Sequence, residues 1–307
     1  MQYVNFNNYG KTFIGNQNRT EIDRLPPGIY ELQYDGQRDM VFFNNIQTNY
    51  DQLLDLPSKE FDHVLKELSL FLQPETKKAF KDYGFLYKRS TLLFGIPGTG
   101  KTCLVNRIAE EVVKNKGVVI FNPNPQVLVK AFKVLTDIQP DVKTMVIFEE
   151  LDQLSKRYED DLLHILDGEI QKENVVYMAT TNFLDKVPRR LCRPGRFSSI
   201  IEVEFPDAAA REFYLRHKLL EEDQNEVPGW VAKTEGLSID ELKETVLAVK
   251  CLGQNLEDVV VRLKAVEDRK NIKDKTNYED AEEQLEYDQY RDDGPFEKLV
   301  KAEVSRG

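Results

Sequence analysis

Within eight residues the run Gly95-Ile96-Pro97-Gly98-Thr99-Gly100-Lys101-Thr102 brings together three glycines, a lysine and two hydroxyls. Glycines let successive backbone N–H groups converge on phosphate oxygens, and a helix starting at the lysine adds a favourable dipole. Lys101 would reach the β- and γ-phosphates of a nucleotide and the Thr102 hydroxyl would ligate Mg²⁺, with Cys103 and Leu104 completing the binding stretch. A second chemical group is Met145-Val-Ile-Phe-Glu149-Glu150-Leu-Asp152. Carboxylates at the end of a buried strand are placed to handle a metal and a water. Glu149 would hold Mg²⁺ through water, and Glu150 would orient or deprotonate the attacking water. Third, Val175-Val-Tyr-Met-Ala-Thr-Thr181-Asn182 delivers an amide to a strand's C-terminal edge, where open α/β sheets bind ligands. Fourth, Leu191-Cys-Arg193-Pro-Gly-Arg196-Phe197 carries two arginines around a Pro-Gly turn. They can be presented outward to a neighbouring subunit's γ-phosphate, where a guanidinium stabilises transferred charge.

These groups need elements to hold them. Thr91–Phe94 is a short apolar, β-prone run before the glycines, and Leu104, Val105, Ile108, Ala109, Val112 and Val113 recur at helical spacing after them. Strands are predicted at Gly117–Phe121, Lys143–Phe148, Asn174–Thr180 and Ile200–Phe205, and helices at Gln126–Thr136 and Asp160–Glu169. Alternation of this kind predicts an α/β fold with a doubly wound parallel sheet. Upstream, Ser58 is placed to cap a helix whose apolar stripe is Phe61, Val64, Leu65, Leu68, Phe71 and Leu72, and a second short helix runs from Lys77 to Tyr83. Residues 58–206 are the expected nucleotide-binding domain. Beyond Pro206 the pattern is helical: Asp207–Leu220, then Ile239–Val249 opened by the capping box Ser238-Ile-Asp-Glu241, then Asn255–Val266, making a small helical domain over 207–269. Residues 1–57 carry short β-prone pieces (Lys11–Ile14, Gly28–Tyr34, Met40–Phe43) between Asn, Gly and Pro turns, and read as a small β-rich module. Residues 270–307 read as an acidic tail.

Composition narrows the function classes. The 307 residues are 41% hydrophobic and 31% charged, as in an ordinary globular chain of about two domains. No apolar run approaches the roughly 20 residues of a membrane span, and the polar start has no signal-peptide core. Cys103, Cys192 and Cys251 lie far apart without metal-ligand spacing, which fits a reducing cytoplasm. The net charge of −11 disfavours nucleic acid as a partner.

Taken in order, the four motifs resemble those of the AAA+ ATPases, in particular the AAA subgroup, over about Phe61 to Leu263. Gly95–Thr102 is similar to Walker A, Phe148–Asp152 to Walker B, Asn182 to sensor 1, and Arg193 and Arg196 to arginine fingers. Leu162-Leu-His-Ile-Leu-Asp-Gly168 resembles the L-x-x-L-D-G helix of that subgroup. Tyr87-Lys-Arg-Ser-Thr-Leu-Leu-Phe-Gly95 resembles the branch that includes the mitochondrial Rieske-protein translocase, which also begins its Walker B acids with Glu. The resemblance implies an ATP-driven homo-oligomer, usually a hexamer, whose active sites are completed by a neighbour's arginines. It also implies a helical lid over ATP and Mg²⁺ and remodelling of a protein partner recruited by the N-terminal module. Glu149 stands where most of the family has Asp, and Phe121-Asn-Pro-Asn-Pro-Gln126 lacks the aromatic–apolar–Gly pore loop of its unfoldases. Two other readings stay open: a slowly turning ATP-dependent switch or assembly scaffold, and a replication-associated ATPase acting on DNA.

Overall fold

The computed structural model describes residues 5–9, 12–16, 24–46, 57–167 and 172–265. The acidic tail expected over 270–307 and Gly168 of the L-D-G motif lie outside the described residues.

Nine strands form one sheet: β1 (Asn5–Tyr9), β2 (Thr12–Asn16), β3 (Gly28–Asp35), β4 (Met40–Asn45), β5 (Lys88–Phe94), β6 (Val118–Phe121), β7 (Thr144–Phe148), β8 (Val175–Thr181) and β9 (Ser199–Glu202). Their spatial order is β1-β2-β4-β3-β6-β7-β8-β5-β9. From β6 to β9 every pair is parallel, with β5 between β8 and β9. The β-prone N-terminal residues form strands as expected, joined as an antiparallel ribbon to the edge of the same sheet. There Gly28, Ile29 and Tyr30 of β3 pair in parallel register with Val118, Val119 and Ile120 of β6.

The central strands are apolar over runs such as Met145–Phe148 and Val175–Ala179 because both faces are covered, so alternate side chains enter two different cores. On β7, Val146 and Phe148 face one cluster, with Leu128, Phe132 and Leu135 of helix α4 (Pro125–Ile138) and Leu162, Ile165 and Leu166 of helix α5 (Leu151–Asp167). Met145 and Ile147 face the other, with Val64, Leu68 and Phe71 of helix α1 (Lys59–Phe71) and Val105, Ile108 and Val112 of helix α3 (Lys101–Lys114). Ser58 caps α1 by accepting the Phe61 N–H at 3.2 Å. Pro74 starts helix α2 (Pro74–Asp82). The turn from α2 into β5 is fixed by aromatics: Tyr87 stacks on Phe71 at 4.3 Å between centroids, meets Phe80 edge-on at 5.2 Å, and donates its hydroxyl to the Phe71 carbonyl.

After β9 come helices α6 (Ala208–Lys218), α7 (Val227–Lys233) and α8 (Ile239–Val246), a π-helical turn at Leu247–Cys251, and α9 (256–265). Among the described residues no strand follows Glu202. The described residues divide into two compact units, up to Lys243 and from Glu244. In the second, Gly253 (φ +68°) turns the chain after the π-helical turn and Arg262 lies 3.8 Å from Glu244. Among the described residues no helix is long and apolar enough to cross a membrane.

Candidate active site

Strand β5 runs directly into the glycine loop, and α3 begins at Lys101. Two glycines of the loop are irreplaceable on geometric grounds. Gly95 sits at φ +149°, and a Cβ there would lie 2.4 Å from the Val203 carbonyl oxygen; Gly98 sits at φ +82°, and a Cβ would come within 2.9 Å of Ser238 Oγ. At these two positions the loop backbone approaches Val203 and Ser238 too closely for a side chain, whereas Gly100 (φ +97°) has open space around it. Lys101 is buried, and its ammonium donates to the carbonyls of Gly95 at 2.6 Å and Ile96 at 2.7 Å. Burial pushes the Lys101 ammonium down to about 8, with the nearby Asp240 carboxylate acting in the opposite direction. Leu104 packs into the core below the loop, and Cys103 is half-buried, which raises its thiol.

Lys101, Thr102, Asn122, Glu149, Glu150, Thr180, Thr181 and Asn182 line one cleft of about 190 Å³. Three strand ends and the start of α3 therefore converge on it. Glu149 follows β7, and its Oε1 is buried with no hydrogen-bond partner among the described residues. An orphaned carboxylate oxygen beside the Thr102 hydroxyl is a donor set that fits a hard divalent cation such as Mg²⁺. Glu150 is exposed and held at φ +50° as the chain turns into α5, where its carbonyl accepts from Gln153 and Leu154 at 2.8 and 3.1 Å. A non-glycine residue in that conformation marks an over-determined site. Asn182 is set by its neighbours: Thr181 donates to the buried Asp152 carboxylate at 2.7 Å and accepts the Phe183 N–H at 3.0 Å.

Arg193 and Arg196 lie on the turn before β9, and neither lines the cleft. Arg193 is exposed. Arg196 grips Asp167 with two parallel bonds of 2.6 and 2.7 Å and donates a third to the Arg190 carbonyl at 2.5 Å. The guanidinium holds the Asp167 carboxyl below its ordinary range.

Sequence reasoning missed two parts of the site. Asn122 lines the cleft from the end of β6, at φ +42°, with its N–H on the Ile147 carbonyl at 2.8 Å. A single Asn in an Asn-Pro-Asn-Pro turn carries no spacing signal that distinguishes it. The second is a cavity of about 370 Å³ that Thr99 of the loop shares with Pro57, Ser58, Phe205, Pro206 and Ile239. Its lining also carries Lys59, Glu60, Asp62, Glu204 and Asp207, so the cavity that adjoins the loop at Thr99 is of mixed polar and apolar character. Those residues come from three distant segments, so no local pattern announces them.

Residues 91–205 match the family described as "ATPase family associated with various cellular activities (AAA)". That stretch holds the phosphate loop, both glutamates, Asn182 and both arginines, and is similar to the ATPase domain of the AAA+ superfamily. It is 27% identical to the Cell division cycle protein 48 homolog of Archaeoglobus fulgidus, over 92% of this chain and 43% of that protein. It is 31% identical to the ATP-dependent zinc metalloprotease FtsH 3 of Sphaerobacter thermophilus, over 61% of this chain and 42% of that protein. A third relative is the mitochondrial inner membrane i-AAA protease supercomplex subunit YME1 of Saccharomyces cerevisiae, 29% identical over 59% of this chain and 27% of that protein. This chain thus spans less than half the length of these three relatives.

Proposed function

We propose that this protein hydrolyses ATP to ADP and phosphate with Mg²⁺, as a homo-oligomer whose turnover remodels a protein partner. The observation that supports the reading is one cleft gathering Lys101, Thr102, Glu149, Glu150 and Asn182. Lys101 would exchange its two carbonyl partners for the β- and γ-phosphates, and Thr102 and Glu149 would hold Mg²⁺. When bound, that ion neutralises charge building on the phosphate oxygens. Glu150 would take the proton of the attacking water and Asn182 would hold that water and the γ-phosphate in line.

In the assembly, Arg193 is free to reach a neighbouring site, while Arg196 would have to leave Asp167 to do the same. Hexameric assembly and a reducing, cytoplasmic setting, the latter supported by the free cysteines Cys103, Cys192 and Cys251, belong to this proposal. So do the assignments of residues 1–57 as a partner-recruiting module and 207–269 as a lid. Measuring ATP hydrolysis against protein concentration, with mass followed by light scattering, tests it. Specific activity rising as oligomers form is the expected result; activity independent of mass would refute shared sites.

A further inference from the structure

The first turn of α8 docks on the phosphate loop. The Gly98 carbonyl accepts the N–H groups of Ile239 at 3.0 Å and Asp240 at 3.4 Å. Ser238 and Glu241 are occupied with each other as the cap of α8: the Ser238 N–H and hydroxyl both donate to Glu241 Oε2 at 2.8 Å, and Ser238 Oγ accepts the Glu241 N–H at 3.3 Å. Asp240 plays no part in that cap. Its side chain faces the loop instead: a Cβ on Gly98 would lie 3.2 Å from both Asp240 Cβ and Oδ2. The carboxylate is exposed beside Gly98, and its charge acts on Lys101 and Cys103 at the start of α3. Lys243, one turn further along α8, acts on Cys103 in the opposite direction.

A loop built to attract polyphosphate therefore has a fixed negative charge against it. We propose that Asp240 sets the nucleotide preference of this site, its carboxylate weakening the binding of a nucleoside triphosphate more than that of a diphosphate. This rests on the reading of the loop as a phosphate cradle. A triphosphate carries one more negative charge than a diphosphate, with or without Mg²⁺. Over a separation on the order of 8 Å in water, each added charge changes affinity by about threefold. Removing the carboxylate charge therefore tightens triphosphate binding by about threefold to tenfold and diphosphate binding by less.

The test is a titration of the full chain with fluorescent ATP and ADP analogues in Mg²⁺, comparing the wild type with Asp240→Asn and Asp240→Glu. The Asn variant keeps the shape and removes the charge; its preference should shift toward the triphosphate. The Glu variant should keep the wild-type preference. The shift should shrink at high salt, where the screening length falls to about 3 Å at 1 M; loss of a packing contact would not respond this way. An unchanged ratio of the two affinities in Asp240→Asn, with both nucleotides bound, overturns the inference and leaves the phosphate site standing. A shift that persists at high salt also overturns it. Failure of the wild type and both variants to bind either nucleotide overturns the phosphate site along with it.

Discussion

Lys101 offers a perturbation whose size follows from the structure. In the free protein, burial holds its ammonium at a midpoint of about 8. A triphosphate in the loop adds negative charge beside Nζ, which raises that midpoint, so nucleotide binding takes up a proton. Affinity is then fully present well below pH 8 and falls as pH rises through it, because a growing fraction of free protein has lost the charge. With a midpoint of about 8, about three quarters of the lysines are charged at pH 7.5 and about one in thirty at pH 9.5, a loss of about 25-fold in affinity when only the charged form binds. The assay is a fluorescent ATP titration at constant ionic strength from pH 7 to 9.5, run on the wild type and Lys101→Arg. A guanidinium does not titrate in this range, so the arginine variant should bind more weakly but give a flat profile. That comparison also separates Lys101 from Lys172, likewise lowered to about 8 by burial but packed on the Gln139 and Pro140 carbonyls away from the cleft. A flat wild-type profile, or a fall retained in Lys101→Arg, would refute the reasoning.

Three further outcomes follow from the geometry. Gly95→Ala should cost at least about 2 kcal/mol of folding stability in a denaturant titration, since its Cβ would overlap the Val203 carbonyl oxygen at 2.4 Å; unchanged stability contradicts the packing. Thr181→Val leaves the buried Asp152 carboxylate without its 2.7 Å donor, at a cost of about 1–3 kcal/mol. It should lower kcat with little change in ATP affinity, and an unchanged kcat would free Asn182 from its assigned role. Arg193→Ala should cut turnover without altering the melting temperature, whereas Arg196→Ala should lower both, because only Arg196 braces Asp167 in its own subunit. Equal thermal stability of the two variants would count against that division.

The parallel core was legible because strands covered on both faces are continuously apolar: Met145–Phe148 and Val175–Ala179 have no alternation to misread. Two helices were less so. The helix expected over Asp160–Glu169 begins at Leu151 and is kinked at Tyr158. Its first half turns Asp152 and Ser155 inward, Asp152 to accept from Thr181 beside Asn182 and Ser155 to donate to the Asp152 carbonyl, so the apolar period is absent where the site needs it. Helix α7 escaped notice because it is a seven-residue helix with Pro228 and Gly229 in its first turn and only Val227 and Trp230 buried. Among site residues, the loop, the two glutamates and Asn182 were readable because each ends a strand. Asn122 also ends a strand but sits in an Asn-Pro-Asn-Pro turn that carries no spacing signal, while Asp240 and the wall formed by Ser58, Phe205 and Ile239 were hidden because chain reversals bring those distant segments to the loop.

The measurement that tests the central claim most directly compares wild type and Glu150→Gln in the same preparation, with Mg·ATP binding and steady-state phosphate release both recorded. The account predicts binding in both proteins and phosphate release lost by at least about a hundredfold in the variant, as expected for removal of a general base. Phosphate release by Glu150→Gln at the wild-type rate, or no ATP binding by either protein, would contradict it.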